Sequence, residues 1–214
     1  MTSSESRLNE AIQDYKFLLN RGYSRQVSLY VLTSRYLLSE EERLILYRCV
    51  HSDQEIARIK KREEESKNDS FKKVLVDGFN LAFSVISLSF GEAYTCDDGY
   101  IRDVGMGKFK KEKNLIISAL TILNELCFSM NKECTFVLDA QVSKSGEIAK
   151  HMQVVGARTV LSKTVDSFLI NSDSLVASND FLILMKAKRI INLLSESTNL
   201  AKHVIDINSI KFHI

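Results

Sequence analysis

The chain has 214 residues, 45% hydrophobic and 26% charged, which suits one mid-sized globular domain or a domain with an appendage. Its 29 basic and 27 acidic side chains leave a net charge of only +2, so any nucleic-acid surface must be local. No apolar run approaches the ~20 residues of a membrane span, and "MTSSESRLNE" lacks the apolar stretch of a signal peptide, so a cytoplasmic protein with no membrane partner is expected.

Residues 1–68 read as helices only. Thr2 and Glu5 fit a capping box, and Leu8, Ala11, Ile12, Tyr15, Leu18 and Leu19 follow at helical spacing. Gly22 in "NRGYS" is a stop and Ser24 a new N-cap, with a second helix through Val27, Tyr30, Val31 and Ser34. Ser39 and Glu42 restart the pattern in "LSEEERLILYRCV", ahead of Leu44, Ile45 and Tyr47. The run 52–69, "SDQEIARIKKREEESKND", is nearly all charge and predicts a solvated helix ending in a linker. Arg21 and Arg25, near Tyr23, have the arginine–aromatic texture of single-strand nucleic-acid binders. Acids match bases in this unit, however, and docking onto the rest of the chain explains the same pattern.

From residue 69 onward the grammar changes. Short apolar runs at 72–78, 134–140, 157–162, 174–180 and 203–207 alternate with helical patterns at 80–88, 111–130, 144–154, 166–170 and 180–194. Strands that are apolar throughout and alternate with helices imply a parallel sheet covered on both faces. The expected class is α/β, three-layered with a mainly parallel central sheet, preceded by an all-α unit; the units are 1–68 and 69–214. The four cysteines, Cys49, Cys96, Cys127 and Cys134, show no C-x-x-C spacing, and reduced, buried thiols are expected over a disulfide or a zinc site.

Ligands of parallel sheets bind at the carboxyl ends of the strands, so the residues closing each run matter most. The first run ends in Asp77, the second in Asp139 and the fourth in Asn179-Asp180, while Asp166 opens the helix before the fourth. Each has a plain alternative: Asp77-Gly78 as a turn, Asp139 as a loop start, Asp166 and Asp180 as helix caps. Together they predict carboxylates converging on one rim, where mutual repulsion is relieved by a hard divalent cation such as Mg²⁺ or Mn²⁺.

"VLVDGFNLA" and "VDSFLINSDSLVASNDFLIL" resemble the first strand and the later part of PIN-like nucleases, particularly their NYN branch. The resemblance spans roughly 72–207. It implies a metal-dependent ribonuclease with Asp77, Asp166 and Asp180 as catalytic acids, Asp139 as a further metal ligand, and Asn80 and Asn179 bracing the loops. It also implies RNA as partner and a possible homodimer, since PIN-like domains often pair. The whole chain resembles a largely archaeal family with a helical N-terminal region and a PIN-like C-terminal domain. A haloacid dehalogenase phosphatase also carries an Asp after its first strand, but needs a second two residues later, where this chain has Phe79.

Three other stretches compete between roles. "TCDDGYIRDV" is a polar turn or adds Asp103, supported by Asp98, to the rim. Lys108, Lys110 and Lys111 either meet an RNA backbone or begin a solvated helix. Ser143, Lys144 and Ser145 form a phosphate cradle at a helix start, or an N-cap with Glu147. The competing function is a non-catalytic RNA-binding or interaction module on the same fold.

Overall fold

The N-terminal third is helical because its apolar residues recur every three to four positions and its hydroxyl residues hold the helix starts. In the computed structural model, which describes residues 3–67, 72–105, 112–195 and 205–206, it comprises α1 (Ser3–Asn20), α2 (Arg25–Tyr36), α3 (Glu40–Cys49) and α4 (Asp53–Lys67). Ser24 accepts from the Val27 N–H, and Ser39 and Glu42 form the expected capping box. Ser52 and Glu55 exchange the same pair of bonds ahead of α4. Gly22 adopts φ +82°, as its stop requires. Thr2 lies outside the described residues.

The remainder comprises β1 (Lys73–Asp77), α5 (Gly78–Ser89), β2 (Ala93–Thr95), β3 (Ile101–Asp103), α6 (Lys113–Ser129), β4 (Glu133–Asp139), α7 (Ser145–Val154), β5 (Arg158–Ser162), α8 (Val165–Ile170), β6 (Leu175–Ala177), α9 (Phe181–Lys186) and β7 (Ile205–Asp206). The main sheet has the order β5-β4-β1-β6 with every pair parallel. Side chains alternate across it. Val74, Val76, Phe136 and Leu138 join the core under α5, α6 and α7, whereas Val137 and Val176 join Ile59 of α4, Leu169 of α8 and Ile183 of α9. The α/β class with helices on both faces is as expected.

Several expectations need correction. The last run does not extend the main sheet: β7 pairs parallel with β2, which pairs antiparallel with β3, in a second sheet of order β3-β2-β7. Strands of two or three residues carry too few alternating positions to register as a pattern. The helix expected at 180–194 stops at Ala187, after which Ile190 bridges Val176. Residues 52–67 are not a merely solvated helix: Ile56, Ile59 and Ser66 are buried, and Arg62 donates to the Leu184 carbonyl. The helices share cores with the rest, since Cys96 and Val104 pack in the cluster of Tyr15, Leu46 and Cys49.

Cys127 and Cys134 are disulfide-bonded, with Cα atoms 6.1 Å apart, while Cys49 and Cys96 are free and buried. The turn between α6 and β4 reverses the chain and brings residues seven apart face to face, which spacing alone conceals. Cys127→Ser is expected to lower urea stability by about 2 kcal/mol, the loop-closure effect for so short a loop; reducing agent should produce the same loss in the wild type and none in the variant.

Candidate functional site

The alternation that builds the core also aims the acids. Asp77 and Asp139 close β1 and β4 with the parity of Leu75 and Val137, the face on which α8 and α9 pack. Asp166 sits in the first turn of α8, and Asp180 is the N-cap of α9. The four acids therefore gather at the carboxyl end of one sheet face.

Asp77 is buried, 8% exposed, and its Oδ2 accepts from Ser178 Oγ at 2.7 Å. Burial pushes its carboxyl up to about 7; the Ser178 hydroxyl opposes this, and the charges of Asp180 and Asp166 add to it. Asp166 is raised as well, by desolvation and then by Asp180 and Asp139. Neighbouring acids, not cations, are the leading charges acting on both carboxyls, and neither forms an ion pair among the described residues. The donor set is all oxygen, which fits Mg²⁺ or Mn²⁺ better than a thiophilic or imidazole-seeking metal. No three rim acids bring ligand atoms within 4.8 Å of one another; His51, Asp97 and Asp98 are the only such group among the described residues.

Two plain alternatives hold alongside the rim placement. Asp180 Oδ1 accepts from the N–H groups of Leu182 and Ile183, and Asp139 Oδ1 accepts from the Gln141 N–H. Gly78 is not a turn residue. A Cβ there would run into Leu138 Cδ2 and meet the Val137 carbonyl at 3.2 Å, so the Asp-Gly step lets α5 leave β1 directly against β4. Asn80 braces the rim: its Oδ1 accepts from the Asn179 N–H at 2.8 Å. Asn179, 2% exposed, donates its amide to Ser84 Oγ and to the Ile101 carbonyl.

Below the rim lies a buried polar core. Arg102 donates both terminal nitrogens to the Asp98 carboxylate and its Nε to the Asn179 carbonyl, at 2.7 Å. Against their burial, Arg102 holds the Asp98 carboxyl below its ordinary value, and Asp98 raises Arg102. Asp97 accepts from His51 Nδ1 (2.6 Å), the His51 N–H (2.9 Å) and Lys16 Nζ (3.3 Å). Burial keeps the His51 imidazole below its ordinary value and hence neutral near pH 7. Each carboxylate here already has its cation, so this group is an ionic core, although His51 Nε2 is buried without a hydrogen-bond partner among the described residues. His51 stacks on Phe181 at 4.3 Å, and the Arg25 guanidinium lies 4.4 Å from the same ring. The helical unit thus grips the residue next to Asp180.

The remaining candidates fall elsewhere. Asp103 turns away from the rim: its Oδ1 accepts from Ser87 Oγ and the Gly105 N–H, and its carbonyl from Arg48. Ser145 is buried and donates to the Ala140 carbonyl, and the N-cap of α7 is Lys144 at φ +65° without a side-chain cap bond, so neither serine caps with Glu147. Glu147 instead pairs with Lys113. Ser143 and Lys144 are exposed beside the Asp139 loop. Lys108, Lys110 and Lys111 lie outside the described residues. Arg25 is structural, donating to Val50 and Glu55, whereas Arg21 lies over Phe17 on the surface.

A family model described as a domain of unknown function, DUF5616, matches residues 66–196. The chain belongs to the DUF5616 family. A second model, a protein of unknown function, DUF434, matches residues 7–62. The chain is also similar to the uncharacterized protein MJ0935 of Methanocaldococcus jannaschii, 32% identical over 206 residues that cover 91% of this chain and 98% of the relative. No solved structure matches it. All four rim acids lie in the DUF5616 segment, while Lys16, Arg25 and His51 come from the DUF434 segment. Sequence reasoning missed Ser178, Arg102, Asp97, His51 and Phe181. The i, i+4 pair Asp98–Arg102 was the one local signal; the others are joined only by tertiary packing. No described helix is long and apolar enough to cross a membrane.

Proposed function

We propose that this DUF5616 chain is a divalent-metal-dependent ribonuclease, hydrolysing RNA phosphodiesters at the acidic rim of a PIN-like, NYN-type fold. The observation that carries the reading is the gathering of Asp77, Asp139, Asp166 and Asp180 at one sheet end, where burial and neighbouring acids raise Asp77 and Asp166 and neither forms an ion pair among the described residues. Asp77, Asp166 and Asp180 are the principal ligands for Mg²⁺ or Mn²⁺, and Asp139 contributes. A bound ion supplies an acidified water and neutralises charge on the phosphorus centre. Since no three rim acids bring ligand atoms within 4.8 Å of one another, an ion held there would keep part of its water shell.

The chain's own residues do the positioning. The Ser178 hydroxyl fixes Asp77, the first amides of α9 fix Asp180, and Asn80 ties the β6 end to α5. Lys144, exposed after the Asp139 loop, meets the RNA backbone as a sequence-independent contact.

Purified protein with Mn²⁺ is expected to cleave mixed-sequence RNAs and to stop with EDTA. Intact RNA under Mn²⁺ that is nonetheless bound means the interaction-module reading is the right one. Protons compete with the ion for Asp77, which is held near 7. The apparent Mn²⁺ affinity should therefore rise about tenfold between pH 6 and 8, then level off. Calorimetric titration at several pH values checks this; a flat profile places the ion away from Asp77.

A further inference from the structure

At the end of the main sheet opposite the rim lies a cavity of about 300 Å³, walled by the Cys127–Cys134 disulfide. Among the described residues its charged lining is Lys72, Lys132 and Arg158 with one acid, Glu133, so basic side chains outnumber acidic ones there. Arg158 pairs with Glu133 at 3.1 Å, and Lys72 makes no ion pair among the described residues. Asn124, 5% exposed and one helical turn before Cys127, also lines the cavity, and its side-chain amide makes no hydrogen bond among the described residues. That amide is not sealed away from solvent but opens onto the cavity, where it can hydrogen-bond a ligand group. The two remaining thiols contrast with this pair, since Cys49 and Cys96 are wholly buried and do not line the cavity.

We propose that this cavity is a thiol–disulfide exchange site for small anionic thiols, which it reads by charge and by the Asn124 amide. Cys134 is the more exposed residue of the pair, 7% against 1% for Cys127, and is taken as the half attacked. A thiolate RS⁻ bonds to Cys134 Sγ, the Sγ–Sγ bond breaks, and its electron pair leaves on Cys127 Sγ as a thiolate. A second RS⁻ bonds to the sulfur of the mixed disulfide, releasing RSSR and the Cys134 thiolate. Two RSH have then supplied two electrons, and their two protons end on Cys127 and Cys134. The surrounding cations concentrate an anionic attacker and stabilise both leaving thiolates. Reduction unties the end of α6 from the start of β4, whose other end carries Asp139.

The test uses the folded full chain, air-oxidised, with alkylatable thiols counted by intact mass over time. Glutathione, net anionic, and cysteamine, cationic, serve as the two reductants. Glutathione is expected to open the bridge in the native protein. In Lys72→Ser/Arg158→Ser the glutathione-to-cysteamine rate ratio is expected to fall about tenfold, because local charge sets the encounter rate. In Asn124→Leu the glutathione rate should fall with the cysteamine rate less affected. A bridge that resists millimolar glutathione until the protein unfolds overturns the proposal. So does an unchanged rate ratio in the charge variant, or an oxidised protein that shows four free thiols.

Discussion

Asp77→Asn is expected to remove Mn²⁺-dependent RNA cleavage, by at least about a hundredfold, while making the ion-free protein more stable at pH 8. Both effects follow from one buried carboxylate. Asn keeps the shape and can still accept from the Ser178 hydroxyl, but it carries no charge for a cation or for Asp180 and Asp166 to act on. Below pH 3.8 the carboxyl is protonated in the folded and unfolded chain alike and costs nothing. Between 3.8 and about 7 the unfolded chain ionises while the folded one holds its proton, so stability falls as pH rises. Above about 7 the full penalty stands, on the order of 4 kcal/mol as an upper value. Urea unfolding of both proteins should therefore diverge from acid to pH 8, with the variant ahead. Equal stability at pH 8 contradicts the assignment of a strained, uncompensated acid.

Asp98→Asn is expected to cost about 3–5 kcal/mol, since it leaves the Arg102 guanidinium buried without its counter-charge. Arg102 is 5% exposed and meets Asp98 through both terminal nitrogens, so no water replaces the lost carboxylate. The Nε bond of Arg102 to the Asn179 carbonyl carries the damage to the rim. The double change Asp98→Asn/Arg102→Met should recover a large part of the stability, because no uncompensated ion remains. It should not recover Mn²⁺ binding, because the β6 end loses its anchor. Denaturant unfolding with a parallel Mn²⁺ titration separates the two losses; full recovery of binding in the double variant removes Arg102 from its positioning role.

The two results draw on features that were unequally legible. Strand-end acids could be read, because a parallel sheet sends every carboxyl end the same way. That Asp77 and Asp139 share a face also follows from strand parity. The caps at Ser24 and Ser39 were local and were found locally. The hairpin of β2 and β3 was hidden because three-residue strands hold too few alternations, and the partner β7 comes a hundred residues later. The His51–Asp97 and Lys16–Asp97 contacts join residues 46 and 81 positions apart, and no spacing rule reaches that far. A charge-rich helix such as α4 looks solvated until its few apolar residues, Ile56 and Ile59, are seen to share one face. The Asp-Gly step read as a turn proved to be a close approach between a helix start and a neighbouring strand.

We propose that the carboxyl-end acids hold a divalent cation. Crystals soaked in Mn²⁺ and measured at its absorption edge test that claim most directly. An anomalous peak is expected among Asp77, Asp166 and Asp180, and it should disappear in Asp77→Asn/Asp180→Asn. A peak at His51, Asp97 and Asp98, or none at the rim at millimolar Mn²⁺, contradicts it.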